Sequence, residues 1–177
     1  MNMETIPKEV RAYLSTNDSL ARAQLKQQVT DLDEKLNAAE TRTAVLNWLT
    51  TDDAWADTAV HFTMNCLSYL RGKASPDEAP TLRAFLLHPQ PAVRRAAYEC
   101  LLTLYYPDKN REALLQLLQN MLSDTDEAVR VEGARYVKQS GVAPDLKSFL
   151  QRWYKVAQDQ GRSDSESVEL VERLLQA

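Results

Sequence analysis

Side chains capable of covalent or metal chemistry are few in this 177-residue chain, and their spacing does not suit catalysis. The only histidines, His61 and His88, belong to no HxxxH, HExxH or Cys-His cluster with metal-ligand spacing, so no metal site is expected. Cys66 follows His61 by five residues, which on a helix puts the two on different faces and argues against a nucleophile-base pair. Cys100 falls on the apolar side of a helical pattern, where a thiol acts as a small hydrophobe. With no CxxC pairing, two free thiols in a reducing compartment are expected. The acid pairs Asp52-Asp53, Asp31-Asp33-Glu34 and Asp124-Asp126-Glu127 fit helix N-termini, where carboxylates cap backbone N–H groups and favour the helix dipole. There is no glycine-rich phosphate loop and no GxSxG. The residue types therefore point to a non-enzymatic protein with no catalytic residue, cofactor or metal.

Groups suited to recognition are better represented. Trp48, Trp55 and Trp153 each lie in an apolar-periodic helix or its entry turn, which favours packing over ligand stacking. His88 fits an interhelical turn, its ring capping a helix end. The composition calls for helices. The chain is 44% hydrophobic and 26% charged, with only 4 Gly and 7 Pro, too few turn residues for a sandwich or barrel. The expected class is all-α.

Punctuation falls at Arg71–Pro80, His88–Pro91, Tyr106–Asn110, Gly141–Pro144 and Gln160–Ser163. Ser75-Pro76-Asp77-Glu78 reads as a capping box with Pro at the first helical position, and Asp124-Thr125-Asp126-Glu127 and Ser163-Asp164-Ser165-Glu166 repeat that logic. Gly141 and Gly161 sit where left-handed C-terminal residues belong. Upstream, Leu25, Val29, Leu32, Leu36, Ala39, Thr43 and Leu46 alternate spacings of four and three, as in one long helix or two broken near Thr30-Asp31. That stripe leaves a homo-oligomer open.

A 36-residue shift superposes Phe85-Leu86 on Met121-Leu122, Ala92-Val93-Arg94 on Ala128-Val129-Arg130, and Ala97 on Gly133 without a gap. Each copy runs amphipathic helix, Asp- or Pro-containing turn, second helix, the period of a helical-hairpin repeat. A degenerate upstream copy places Asp53-Ala54-Trp55-Ala56 over Asp126-Glu127-Ala128-Val129. In the second helix Val93, Ala96, Ala97, Cys100, Leu101 and Leu104 share one side, matched by Val129, Gly133, Tyr136 and Val137, and that side is expected to be core. The opposite side carries Arg95, Tyr98, Glu99 and Leu102, then Val131, Arg135 and Lys138, then His61, Phe62, Asn65 and Tyr69 in the degenerate copy. Its mixture of aromatic, aliphatic and basic groups suits a protein-binding surface.

These copies, Leu86 to Ala97 and Leu122 to Arg130, resemble the HEAT-repeat family, in particular short bacterial HEAT-like repeats. The resemblance implies an α-solenoid of about eight or nine helices whose second helices line a concave binding face. The whole chain, 1–177, is expected to form a single α-solenoid domain made of an N-terminal helical cap (1–44), HEAT-like repeats (45–141) and C-terminal capping helices (142–177). The partner it implies is another protein, held by an adaptor, assembly factor or toxin-neutralising chain. HEAT-like proteins also include lyases that handle a prosthetic group and nucleic-acid-binding glycosylases, which stand as alternatives. The iron-binding HEAT hydroxylases use His-Glu dyads, and no such dipeptide occurs here. In the first copy Pro89 stands where Asp is common, leaving the family's Asp-Arg ladder in doubt there.

Net charge is −4, which argues against phosphate-backbone tracking, although Arg83, Arg94 and Arg95 make a small basic patch. The opening MNMETIPKEVRAYL has no apolar h-region, and the longest uncharged run, Thr58 to Leu70, is too short for a bilayer. A cytoplasmic protein with no membrane association is expected.

Overall fold

The computed structural model describes residues 3–106 and 110–176. Helices and turns account for its regular structure, with no strand among the described residues, so the chain is all-α. It divides into two compact units, one ending at Cys100 and the other beginning at Leu101.

The first unit contains α1 (Lys8–Ser15), α2 (Ser19–Gln28), α3 (Leu32–Asn37), α4 (Ala39–Leu49), α5 (Val60–Leu70), α6 (Ala79–Ala84) and most of α7 (Pro91–Tyr105). The upstream stripe is thus shared among three helices, broken at Thr30-Asp31 and again at Ala38. Leu32 and Leu36 are buried, but Ala39 and Thr43 are exposed, because α4 turns Thr41, Ala44, Val45, Trp48 and Leu49 inward instead. Asp18 caps α2 by accepting the Leu20 N–H at 2.9 Å. No side chain of α2 is buried, so this helix stands at the surface. α1 packs on α3 and α5 through Val10 and Leu14. Trp48 meets Phe62 edge to face with ring centroids 4.7 Å apart, knitting α4 to α5. The Ser75–Glu78 capping box is formed, with the Ser75 N–H donating to Glu78 at 2.7 Å.

The second unit contains α8 (Arg111–Leu122), α9 (Glu127–Ser140), α10 (Ala143–Asp159) and α11 (Glu166–Gln176). α9 packs against α8 and α11. At their closest approach a Cβ on Gly133 would lie 3.1 Å from Met121 Cγ and 3.3 Å from the Leu122 nitrogen. Gly141 ends α9 at φ +68°, the left-handed conformation the turn requires. The Trp153 indole donates to the Leu122 carbonyl at 2.7 Å. Ser167, at the start of α11, donates its N–H and hydroxyl to Glu127 at 2.8 and 2.9 Å. The punctuating segment around Pro107 lies outside the described residues.

The two copies of the repeat share an internal geometry. Arg94 Nη1 donates to the carbonyls of His88 and Pro89 at 2.9 and 3.0 Å. Arg130 Nη1 donates to those of Asp124 and Thr125 at 2.7 and 2.8 Å. Each arginine is buried and closes the turn before its own helix. His88 Nδ1 accepts the Gln90 N–H at 3.1 Å, and Asp124 Oδ1 accepts the Asp126 N–H at 2.9 Å, again one repeat apart. The degenerate copy lacks the arginine, and there the Thr63 hydroxyl donates to the Ala54 carbonyl at 2.8 Å.

Candidate functional site

Of the residues assigned to the binding stripe, His61, Arg95, Arg135 and Lys138 are exposed, and Tyr69 and Glu99 are half-buried. Phe62, Asn65, Tyr98, Leu102 and Val131 are buried, which removes them from any docking surface and corrects the expectation. The physical reason is that α5 and α7 have buried residues around most of their circumference, so a wheel with one free face describes neither, and Val131 lies on α9, which packs against both α8 and α11. Phe62 packs on Trp48, Asn65 donates to the Leu14 carbonyl at 2.7 Å, and Tyr98 is only 4% exposed. Arg95 and Arg71 flank Glu99 at 3.7 and 3.3 Å, while Arg135 reaches Glu132 and Glu166 at 3.4 and 2.8 Å.

Asn65 and Tyr69 do come together, in the wall of a cleft of about 310 Å³ within the first unit. Tyr13 and Leu14 of α1, Arg22 and Lys26 of α2, Asp33 and Leu36 of α3, and Lys73 after α5 complete it. Arg22, Lys26 and Lys73 face one carboxylate, Asp33, which Lys26 holds at 2.6 Å. Arg22 Nε donates to the Thr16 carbonyl at 2.6 Å and its guanidinium lies 5.3 Å from the Tyr13 ring centroid. Lys73 Nζ donates to the Leu36 carbonyl at 3.0 Å and Asn37 Oδ1 at 3.3 Å, 4.1 Å from the Tyr69 ring centroid. The Tyr69 hydroxyl donates to the same carbonyl at 2.7 Å. That carbonyl ends α3, the negative pole of its dipole.

Burial pushes the Lys73 ammonium below its usual range, and the Lys26 charge adds to this. The hydrogen bond from Lys26 to Asp33 moves Lys26 the other way, outweighing burial. Burial pushes the Tyr69 phenol up, so it stays protonated and donates. An ammonium has three N–H groups and a guanidinium five. Lys73 therefore retains one N–H, and Arg22 all four on its terminal nitrogens, without a protein acceptor among the described residues. The arrangement can hold an anion. A wider cleft of about 650 Å³, which His61 lines with Glu4, Arg11 and Asp53, mixes charges and has no cationic surplus.

Tyr13, Arg22, Lys26 and Lys73 escape sequence reasoning because they come from separate segments and share no period. Cys66 and Cys100 are buried, the latter thiol pushed up to about 12 and the former higher still, chiefly by burial. Trp48 and Trp153 are in the core, whereas Trp55 is 38% exposed and stacks on Phe85 and His88 with centroids 5.1 and 5.2 Å apart. His88 lies in the interhelical turn, as expected. No helix among the described residues is long and apolar enough to cross a membrane. Compared with protein-family models, curated proteins and solved structures, the chain matches none.

Proposed function

We propose that this chain is a HEAT-like helical-repeat protein of the α-solenoid class, a non-enzymatic scaffold that holds an acidic segment of another protein. Support for the repeat comes from the two arginine-closed turns, whose hydrogen bonds recur at the spacing of the sequence repeat. The observation that carries the function is the cleft, which gathers three cations against one carboxylate in a chain of net charge −4. Polar groups converging in a small concavity fix a ligand's orientation, and a local surplus of one sign selects its opposite. The exposed His61, Arg95, Arg135 and Lys138 do not line this cleft and take no part in this reading.

The test is affinity capture with the tagged full chain from its host, with parallel captures using Lys73→Glu and Arg95→Glu. The expected result is one stoichiometric protein, lost with the cleft variant and retained with the Arg95 variant. A complex indifferent to Lys73→Glu would refute the assignment of the cleft. Co-purification of a coloured prosthetic group without a protein would instead favour the HEAT-like lyase alternative.

A further inference from the structure

We propose that the group accepted by the cleft is a phosphomonoester dianion carried on the bound protein, the side chain of a phosphorylated serine or threonine. This deepens the scaffold reading and rests on the cleft being where the partner docks. The charge count is the first argument. Lys26 is already matched by Asp33, while Arg22 and Lys73 have no carboxylate partner among the described residues. Two unmatched cations call for two negative charges in one group. A glutamate or aspartate side chain brings one, and a phosphomonoester brings about −1.5 to −2 at neutral pH.

Donor geometry is the second argument. Unused N–H groups reach the cleft from α2 through Arg22 and from beyond α5 through Lys73, with the Ser68 hydroxyl in the same wall. A carboxylate presents two oxygens in one plane, whereas a phosphoryl group presents three arranged tetrahedrally and so accepts from separate directions. Size is the third. About 310 Å³ lies at the small end of ligand sites, enough for a phosphorylated side chain and its flanking backbone. Arg22 and Lys26 lie over the Tyr13 ring and Lys73 over the Tyr69 ring, so the ring faces turned to these cations are not open for stacking a base. That turns the recognition away from nucleotides and toward a bare oxyanion. Arg22 and Lys73 are themselves held by main-chain carbonyls, so the site is formed before the ligand arrives.

Calorimetry on the full chain separates the possibilities, using a capped Ala-phosphoserine-Ala peptide, its unphosphorylated and Glu counterparts, and inorganic phosphate. The phosphopeptide is expected to bind at least about tenfold more tightly than the Glu peptide, and more weakly as salt is raised. Arg22→Gln and Lys73→Gln, each checked for an unchanged melting curve, are expected to weaken it at least about tenfold. Equal binding of the Glu peptide, unaffected binding by both variants, or no binding at all would each overturn the inference. Inorganic phosphate binding as tightly as the peptide would also overturn it, by assigning the cleft to a free anion. Phosphatase treatment of a captured complex tells the two readings apart. A complex that survives dephosphorylation sinks this inference and leaves the scaffold standing; phosphopeptide binding with no stoichiometric partner keeps the phosphate chemistry and sinks the scaffold.

Discussion

At His88, ring nitrogen Nδ1 takes the part that a carboxylate oxygen of Asp124 takes one repeat later. Both atoms are two bonds from Cβ, so either can accept the N–H two residues ahead. The histidine differs in being titratable. Burial holds its folded pKa below the usual 6.5, aided by the nearby Arg94 charge and opposed by the Asp57 carboxylate. Below 6.5 the unfolded chain therefore binds a proton that the folded chain resists, and stability rises with pH across that window. The urea midpoint is expected to fall between about pH 8 and about pH 5.5, and His88→Asn, which keeps the acceptor, should flatten that dependence while losing the stacking on Trp55. Glu127 works at lower pH. Burial would raise its pKa, but hydrogen bonds from Ser167 and Arg130 outweigh that and hold it below 4.5, so their contribution is present above 4.5 and lost as pH falls through the folded value. The two cysteines give a further readout: at pH 8 neither should react with iodoacetamide until the chain unfolds, since burial holds both as thiols.

The helix pair α8–α9 depends on two features of its second helix. Arg130 ties the preceding turn to α9 and reaches Glu127 at 2.6 Å. Arg130→Ala leaves two carbonyls without these donors, with an expected loss of about 2–3 kcal/mol in urea denaturation. Arg130→Lys should recover only part of this, because one ammonium does not reproduce the planar fork. At Gly133 the nearest atoms leave room for little more than hydrogen, so Gly133→Val is expected to cost about 1–3 kcal/mol by overpacking. Both positions were legible in the letters, since Val-Arg and a small residue recur in register. What the letters hid was the environment of the second helix. Tyr98 and Leu102 look like a free face on a wheel, yet α7 is enclosed on that side as well. Periodicity reports which side of a helix is apolar and is silent on whether the other side is also covered. The upstream stripe misled in a related way, for its spacing ran on through Ala38, where the backbone is extended (φ −65°, ψ 138°) and a new helix begins with a different face inward.

Taken as a whole, the chain carries net charge −4 and a pI near 5.3, and its cleft is a local exception to that sign. Such a balance disfavours tracking along a nucleic-acid backbone. At physiological salt the chain is expected to leave duplex DNA unshifted in a gel, and retention that falls steeply with salt would revive the nucleic-acid alternative. The cleft was barely legible because Tyr13, Arg22, Lys26 and Lys73 come from separate segments and mean nothing until the fold gathers them. The arginine-closed turns have a converse lesson. Their bonds end on main-chain oxygens, which every residue supplies, so His88-Pro89-Gln90 and Asp124-Thr125-Asp126 can differ at all three letters and still adopt one shape. Kinship between these two turns is thus written in the distance from a guanidinium to two peptide groups, so a change of turn letters that preserves that interval leaves the shape of the turn in place.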